Sequence, residues 1–224
     1  MNISYPDYNI LISTKEGTNT VICIENPVAY ADVVGNIYHQ MNGEDGDMIW
    51  SQDGKGINIS KKGVVVFNPY SISPNEKRVI NKLYQELEEK ARDYIQEDSA
   101  LLESAIVTYL DKLIEEVPYG ISYDFVPGIS ALLKMYDVRI DECADSLLER
   151  IIEYIKALHR ICGIQVFVFV GLKNYISSDD NKQLYEFVSY EKIDLILVES
   201  KQRALISSER YLIVDESLCT IELE

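Results

Sequence analysis

The sequence predicts an α/β protein: a mostly parallel sheet flanked by helices, with a long helical segment inserted into it. Three observations carry that expectation. Val166–Val170 and Leu195–Val198 are unbroken apolar runs, and strands without polar alternation are buried on both faces, as in a parallel sheet covered by helices. Leu212–Val214 repeats the pattern ahead of Asp215 and Glu216. Between the strand-rich ends of the chain lies a stretch with helical periodicity and no long strand.

Taken in order, Tyr8–Ser13 and Val21–Glu25 are β-rich runs separated by the turn signal KEGTN. Asn26 and Pro27 suit the cap and first position of a helix, with Val28, Ala31, Val34, Ile37 and Tyr38 as its expected apolar face and Asn42-Gly43 as its end. A hairpin is expected through Ile49-Trp50, the turn SQDGKG and Ile57–Ile59, followed by a buried strand at Val64–Phe67 closed by Asn68-Pro69. From Asn75 to Val117 an apolar stripe recurs at helical spacing; as one helix it would be about 65 Å long at 1.5 Å per residue, with a break expected near Asp98-Ser99. Pro118 and Gly120 stop it. A short helix is expected after Pro127 and another from Asp145 to His159, with Gly163 placed to terminate it. Strand, helix and strand then return. The resulting division is a discontinuous α/β head, residues 1–69 and 163–224, and a helical leg, residues 70–162.

Composition narrows the class. The chain has 224 residues and 47% hydrophobic content with mixed charges, the profile of a soluble globular protein long enough to bury a core. No apolar run approaches a membrane span and no export signal is visible at MNISYPDYNI, so a cytoplasmic location without membrane association is expected. Cys23, Cys143, Cys162 and Cys219 form no CxxC pair and read as reduced, mostly buried thiols. With two histidines, a His/Cys zinc site has too few ligands.

A net charge of −16 argues against a general nucleic-acid binder. Binding depends on where the cations sit, however, and they cluster: Lys55, Lys61 and Lys62 in one Gly-containing segment, Lys77 beside Arg78, and Lys201 near Arg203. Ordinary solvated surface accounts for any single pair; a ring-shaped assembly would gather several onto one inner surface.

Catalytic readings fail one by one, and no catalytic residue is assigned. An apolar run followed by Asp215-Glu216 matches a magnesium-holding strand end of an ATPase, but that pattern needs a GxxxxGK[ST] loop. At the corresponding strand–helix junction stand Glu25, Asn26 and Pro27; Pro27 lacks an amide to offer phosphate and Glu25 repels it. His39 and His159 have no GxSxG elbow or catalytic cysteine beside them. Glu88-Glu89, Glu115-Glu116 and Asp179-Asp180 read as solvated acidic faces. Glu115, Glu116 and Asp124 flank a Pro/Gly-bearing turn and are the candidate ligands for a hard cation such as calcium, with Asp137 and Asp141 as neighbouring acids. The sixteen tyrosines are dispersed and form no RNA-binding motif.

The order of GVVVFNP, the helical insertion, ISYDFVPGISALLKMYDVRI, IQVFVFVGLKNYISSDDNKQLYEFV, DLILVES and YLIVDE resembles the short form of the type II-A CRISPR-associated adaptation protein, the Csn-two family, over nearly the whole chain. The resemblance implies a degenerate P-loop-ATPase-like head that has lost its nucleotide, an inserted α-helical leg, and a homotetrameric ring around the ends of linear double-stranded DNA. It implies stabilising calcium near the head–leg region. It also implies a non-enzymatic part in spacer acquisition and antiviral defence, alongside the CRISPR integrase proteins and the type II effector nuclease. On that reading Lys55, Lys61, Lys62, Lys77, Arg78, Lys201 and Arg203 are the candidate DNA contacts. The segment EEVPYGISYDFVPG departs from the family's more acidic version, because Pro118, Gly120 and Ser122 separate Glu115 and Glu116 from Asp124. An ATPase-derived enzyme with an atypical phosphate loop, and a protein-interaction scaffold without DNA affinity, remain alternatives.

Overall fold

A computed structural model of the chain describes residues 1–14, 19–52, 54–124 and 128–223. The expected turn at KEGTN, Asp53 of the expected hairpin turn and the helix-starting Pro127 lie outside the described residues, apart from Asn19. The chain divides into two compact units, Met1–Pro74 with Glu142–Glu224, and Asn75–Asp141.

The first unit begins with β1 (Asn2–Tyr5), β2 (Ile10–Ser13) and β3 (Asn19–Ile24), then α1 (Pro27–Met41), β4 (Ile49–Gln52), β5 (Lys55–Gly56), the single-turn α2 (Ile59–Lys62) and β6 (Gly63–Val66). Two sheets result. A small antiparallel sheet has the order β2-β1-β4-β5. β1 is a strand that the sequence pattern does not predict, and the second arm of the hairpin is shorter than expected: Asn58 caps α2 by accepting from the Ser60 amide, so Ile57–Ile59 is not a strand.

The helical unit, residues 75–141, holds α3 (Lys77–Tyr94), α4 (Gln96–Glu115) and α5 (Ile129–Met135). The expected long helix is interrupted, but at Ile95, whose φ of −133° leaves the helical range, rather than at Asp98-Ser99. Each piece is therefore about 27–30 Å long. Val79, Tyr84 and Ala91 of α3 are buried, whereas α4 buries none of its side chains. Tyr84 donates to the Leu133 carbonyl at 3.2 Å, which ties α3 to α5. Asn75 closes the unit by donating to the Ile140 carbonyl and accepting from the Ile140 amide, at 2.9 and 2.8 Å.

The chain returns to the first unit through α6 (Leu147–Cys162), β7 (Val166–Val170), α7 (Ser178–Tyr190), β8 (Asp194–Glu199), β9 (Glu209–Val214) and β10 (Thr220–Leu223). α6 thus lies with the α/β unit and not in the leg. Its capping box at Ser146 and Glu149 starts an amphipathic helix whose Leu148, Ile151, Tyr154, Ile155 and Leu158 are buried. Gly163, at φ 72°, ends it in the left-handed conformation that glycine adopts at least cost. The first unit therefore runs to Pro74 and resumes at Glu142, rather than ending at 69 and resuming at 163 as the sequence predicts.

The second sheet has the order β10-β9-β3-β8-β7-β6. All its pairings are parallel except β9–β10. Alternation assigns its two faces. Ile22, Ile24, Val166, Val168, Ile196, Val198, Leu212 and Val214 share a core with α1 and the small sheet. Cys23, Phe167, Phe169, Leu195, Leu197 and Tyr211 point the other way and are buried on the side of α7, which packs on β8. The buried stripe of α1 is Ala29, Val33, Ile37 and Met41; of the expected face Ile37 is buried and Val34 packs partly buried against the core, whereas Val28 is 73% exposed and Ala31 and Tyr38 are exposed. Among the cysteines Cys23 alone is buried; Cys162 is half-buried and Cys143 and Cys219 are exposed, fewer buried than expected.

Candidate nucleic-acid interface

Open parallel sheets hold ligands at the carboxyl ends of their strands. There, β3 passes into α1 with no glycine loop. The Asn26 side chain accepts from the Val28 and Ala29 amides at 3.0 and 3.1 Å, and its own amide donates to the Glu216 carbonyl at 3.1 Å. Pro27 has no amide. The donors that would cradle a phosphate are absent or already used. Asp215, at the end of β9, accepts from the Ser217 and Cys219 amides, both at 2.8 Å. It organises the turn into β10. Glu25 accepts from Gln202 at 3.1 Å. His39 sits exposed at 2.6 Å from Glu44, and His159 meets the Ile164 carbonyl at 2.6 Å. Both histidines have structural partners.

The segment between β8 and β9 is unusual. Both strands pair in parallel with β3, so residues 200–208 must carry the chain back from one end of the sheet to the other, a crossover normally built as a helix. Here it is irregular, so its backbone polar groups need partners from elsewhere. The sheet supplies them. Glu209 Oε2 accepts from the Ile206 amide at 3.0 Å, and the Tyr211 hydroxyl accepts from the Arg203 amide at 3.2 Å. Beneath lies a buried charged network. Lys173 Nζ is 2.5 Å from Glu209 Oε1, with side-chain exposures of 5% and 0%, in an ionic contact rather than a directed hydrogen bond. Tyr185 donates to the same Glu209 oxygen at 2.5 Å. The Lys173 amide donates to Glu199 Oε1 at 2.9 Å, and the Lys173 ammonium lies 5.0 Å from the centre of the Tyr211 ring.

Burial governs the electrostatics of this network. It pushes the Glu199 carboxyl above the usual range, against the pull of the Lys173 amide and of the Lys173 and Arg203 charges. It also pushes the Tyr211 phenol up to about 12 and the Cys23 thiol up to about 11. For Tyr185 the phenol rises further, first from burial and then from its bond to Glu209. Apart from Cys23, none of these groups stands out in the sequence. An acid at the end of a strand ordinarily marks solvent, and nothing local shows that Glu199 and Glu209 are roofed by the segment joining them.

The basic residues are placed as follows. Lys55 is exposed in β5; Lys61 is exposed and Lys62 half-buried at the end of α2, at the amino-terminal end of edge strand β6. Lys201 and Arg203 are exposed on the crossover that leaves the carboxyl end of β8. Lys61-Lys62 and Lys201-Arg203 therefore lie at opposite ends of the sheet. Arg203 also donates to the Asn174 side chain. Lys77 and Arg78 form the first turn of α3 in the helical unit, with Arg78 paired to Glu76. Among the described residues, Lys55, Lys61, Lys62, Lys77 and Lys201 have no ion-pair partner.

Glu115, Glu116 and Asp124 are all exposed. Among the described residues no group of three or more His, Cys, Asp or Glu converges on a common metal position. These carboxylates do not form a ready cage for calcium, which takes 6–8 oxygens. Nearby, Asp111 accepts from the Tyr123 hydroxyl at 2.9 Å. No helix among the described residues is long and apolar enough to cross a membrane.

Fold and site thus define an α/β protein with a mostly parallel sheet, a helical unit and a β3–α1 junction without a glycine-rich loop. The profile of the CRISPR-associated protein family (Cas_Csn2) matches residues 40–218, and the chain belongs to that family. Among solved structures, a bacterial Atm1-family ABC exporter with ATP bound aligns with a TM-score of 0.44 and 12% identity, over 93% of this chain and 34% of the exporter chain. The chain spans about a third of that exporter's length, and a likeness of this degree carries no functional weight.

Proposed function

We propose that this CRISPR-associated protein binds the ends of linear double-stranded DNA without catalysis, as a homotetrameric ring acting in spacer acquisition. In this reading the head derives from a P-loop-ATPase-like sheet that no longer takes nucleotide. The partners are the CRISPR integrase proteins and the type II effector nuclease. The observation that carries the proposal is the family match across residues 40–218. Two structural features support it. Asn26 and Pro27 occupy the helix terminus where an ATPase would hold phosphate. Cations at Lys55, Lys61, Lys62, Lys77 and Lys201 stand without acidic partners among the described residues of an otherwise acidic chain. Lys77 and Arg78 moreover oppose the dipole of α3 at its amino end, a placement that helix stability does not favour and phosphate contact does. Assembly is suggested by α4, where Leu101, Tyr109 and Leu113 are more than half exposed.

For calcium we propose only a weak, millimolar site on Glu115, Glu116 and Asp124, because exposed carboxylates that do not converge leave most of the coordination to water. The proposed function is tested by reversing the charge of Lys61 and Lys62 together. The change should weaken binding to every linear duplex alike and flatten the salt dependence, since these are backbone contacts. Undiminished affinity would remove these two residues from the interface, and absence of any DNA affinity in the unmutated protein would favour the scaffold alternative.

A further inference from the structure

The crossover 200–208 carries Lys201 and Arg203 on its exposed side and has no helix to stiffen it. An irregular segment of this kind ordinarily opens readily. Its attachment is nevertheless specific: besides the Ser208 carbonyl, which accepts from the Asn19 amide at 3.1 Å, the Arg203 and Ile206 amides end on Tyr211 and Glu209, and Glu209 is itself fixed by Lys173 and Tyr185. A buried ion pair is a poor way to gain stability, since an apolar pair of similar volume does as well. Here it goes with a defined geometry: among the described residues, the irregular backbone that this set accepts from is that of the basic crossover, at the Arg203 and Ile206 amides.

We propose that the buried set Lys173, Tyr185, Glu209 and Tyr211 forms a latch that fixes the crossover 200–208, so that these residues position Lys201 and Arg203 for phosphate contact without touching the ligand themselves. The latch spans the sheet. Lys173 comes from the 3-10 turn Leu172–Asn174 after β7, Tyr185 from α7, and Glu209 and Tyr211 from β9. The same turn reaches the crossover from outside, because Asn174 accepts from the Arg203 guanidinium. The crossover is thus gripped from below by its own backbone amides and from the side by an arginine head group. The contact with phosphate rests on the DNA-binding reading above; the latch itself does not.

The test separates the two. Hydrogen exchange read at the Arg203 and Ile206 amides, in the full chain, should quicken about tenfold or more in Tyr211→Phe, which removes one acceptor, and in Glu209→Gln, which breaks the ion pair while keeping the shape, with the amides of β3 and β8 unchanged. Unchanged exchange at both amides in both variants would overturn the latch. If Glu209→Gln does not fold, Tyr211→Phe decides alone, since it removes a single hydroxyl. For positioning, binding to a linear duplex is measured across salt. Tyr211→Phe should lower the dependence of log affinity on log salt by about one unit, one phosphate contact corresponding to roughly 0.9. A loss of folded protein would reduce the active fraction and leave that slope alone. A slope unchanged by Tyr211→Phe but reduced by Lys201→Gln/Arg203→Gln would overturn the positioning role. A slope unchanged by both would instead remove the crossover from the DNA interface, while the exchange result would still decide the latch.

Discussion

At the scale of single residues, Glu199 carries a charge that its burial disfavours. It is 1% exposed, and with Lys173 and Glu209 it makes a buried set of one cation and two carboxylates. Its folded pKa is raised, first by burial and in smaller part by Glu209, against Lys173 and Arg203. The folded state therefore holds the proton more tightly than the unfolded one, and ionised Glu199 costs stability at pH values above its folded pKa. That cost fades as pH falls towards the unfolded value. Glu199→Gln keeps an acceptor for the Lys173 amide and removes the charge. It should raise the melting temperature at pH 8 by a few degrees, about 2–4 °C for each kcal/mol in a chain of this size, and by less at pH 5. An equal gain at both values would contradict the account. Asp215 is the opposite case, an acid whose work is local. Asp215→Ala leaves two turn amides without their acceptor and should cost about 1–2 kcal/mol in denaturant unfolding, with no change in ATP turnover. Turnover that disappears with the mutation would revive the ATPase alternative.

At the scale of elements, the legible and illegible parts separate by physical cause. The strands β7, β8 and β9 were readable because burial on both faces leaves an apolar run with no alternation. α6 was readable to within a few residues because Ser146, Glu149 and Gly163 carry cap chemistry at both ends. Its allegiance to the α/β unit was not, since periodicity shows that a helix has an inward face but not what lies against it. The stripe of α1 is legible at Ile37 but not at its flanks, because Val28 and Tyr38 offer apolar candidates on a neighbouring, exposed face. The latch was invisible for a related reason: its members are far apart in sequence and meet only when an irregular crossover folds over them. The calcium proposal belongs here too, because it depends on the turn after α4. Millimolar calcium should raise the melting temperature slightly, and Asp124→Ala should abolish that rise. No shift in the unmutated protein would show that this turn binds no calcium.

At the scale of the whole molecule, the account rests on how an acidic chain meets an acidic polymer. Its net charge is −16, and within the α/β unit the candidate cations fall at both ends of the sheet. Among the described residues of that unit these cations do not share one end, so the proposed DNA binding calls for copies that pool their cations on one surface. Pooling around a closed ring adds a topological requirement that a groove does not: the duplex must have an end to enter by. The most direct measurement therefore combines light-scattering mass with a binding titration at fixed low salt, comparing a linear duplex with the same sequence as a covalently closed circle. The account predicts a tetrameric mass and strong binding to the linear form, with the circle bound far more weakly until it is cut. A monomeric mass, or equal affinity for circle and linear form, would contradict it.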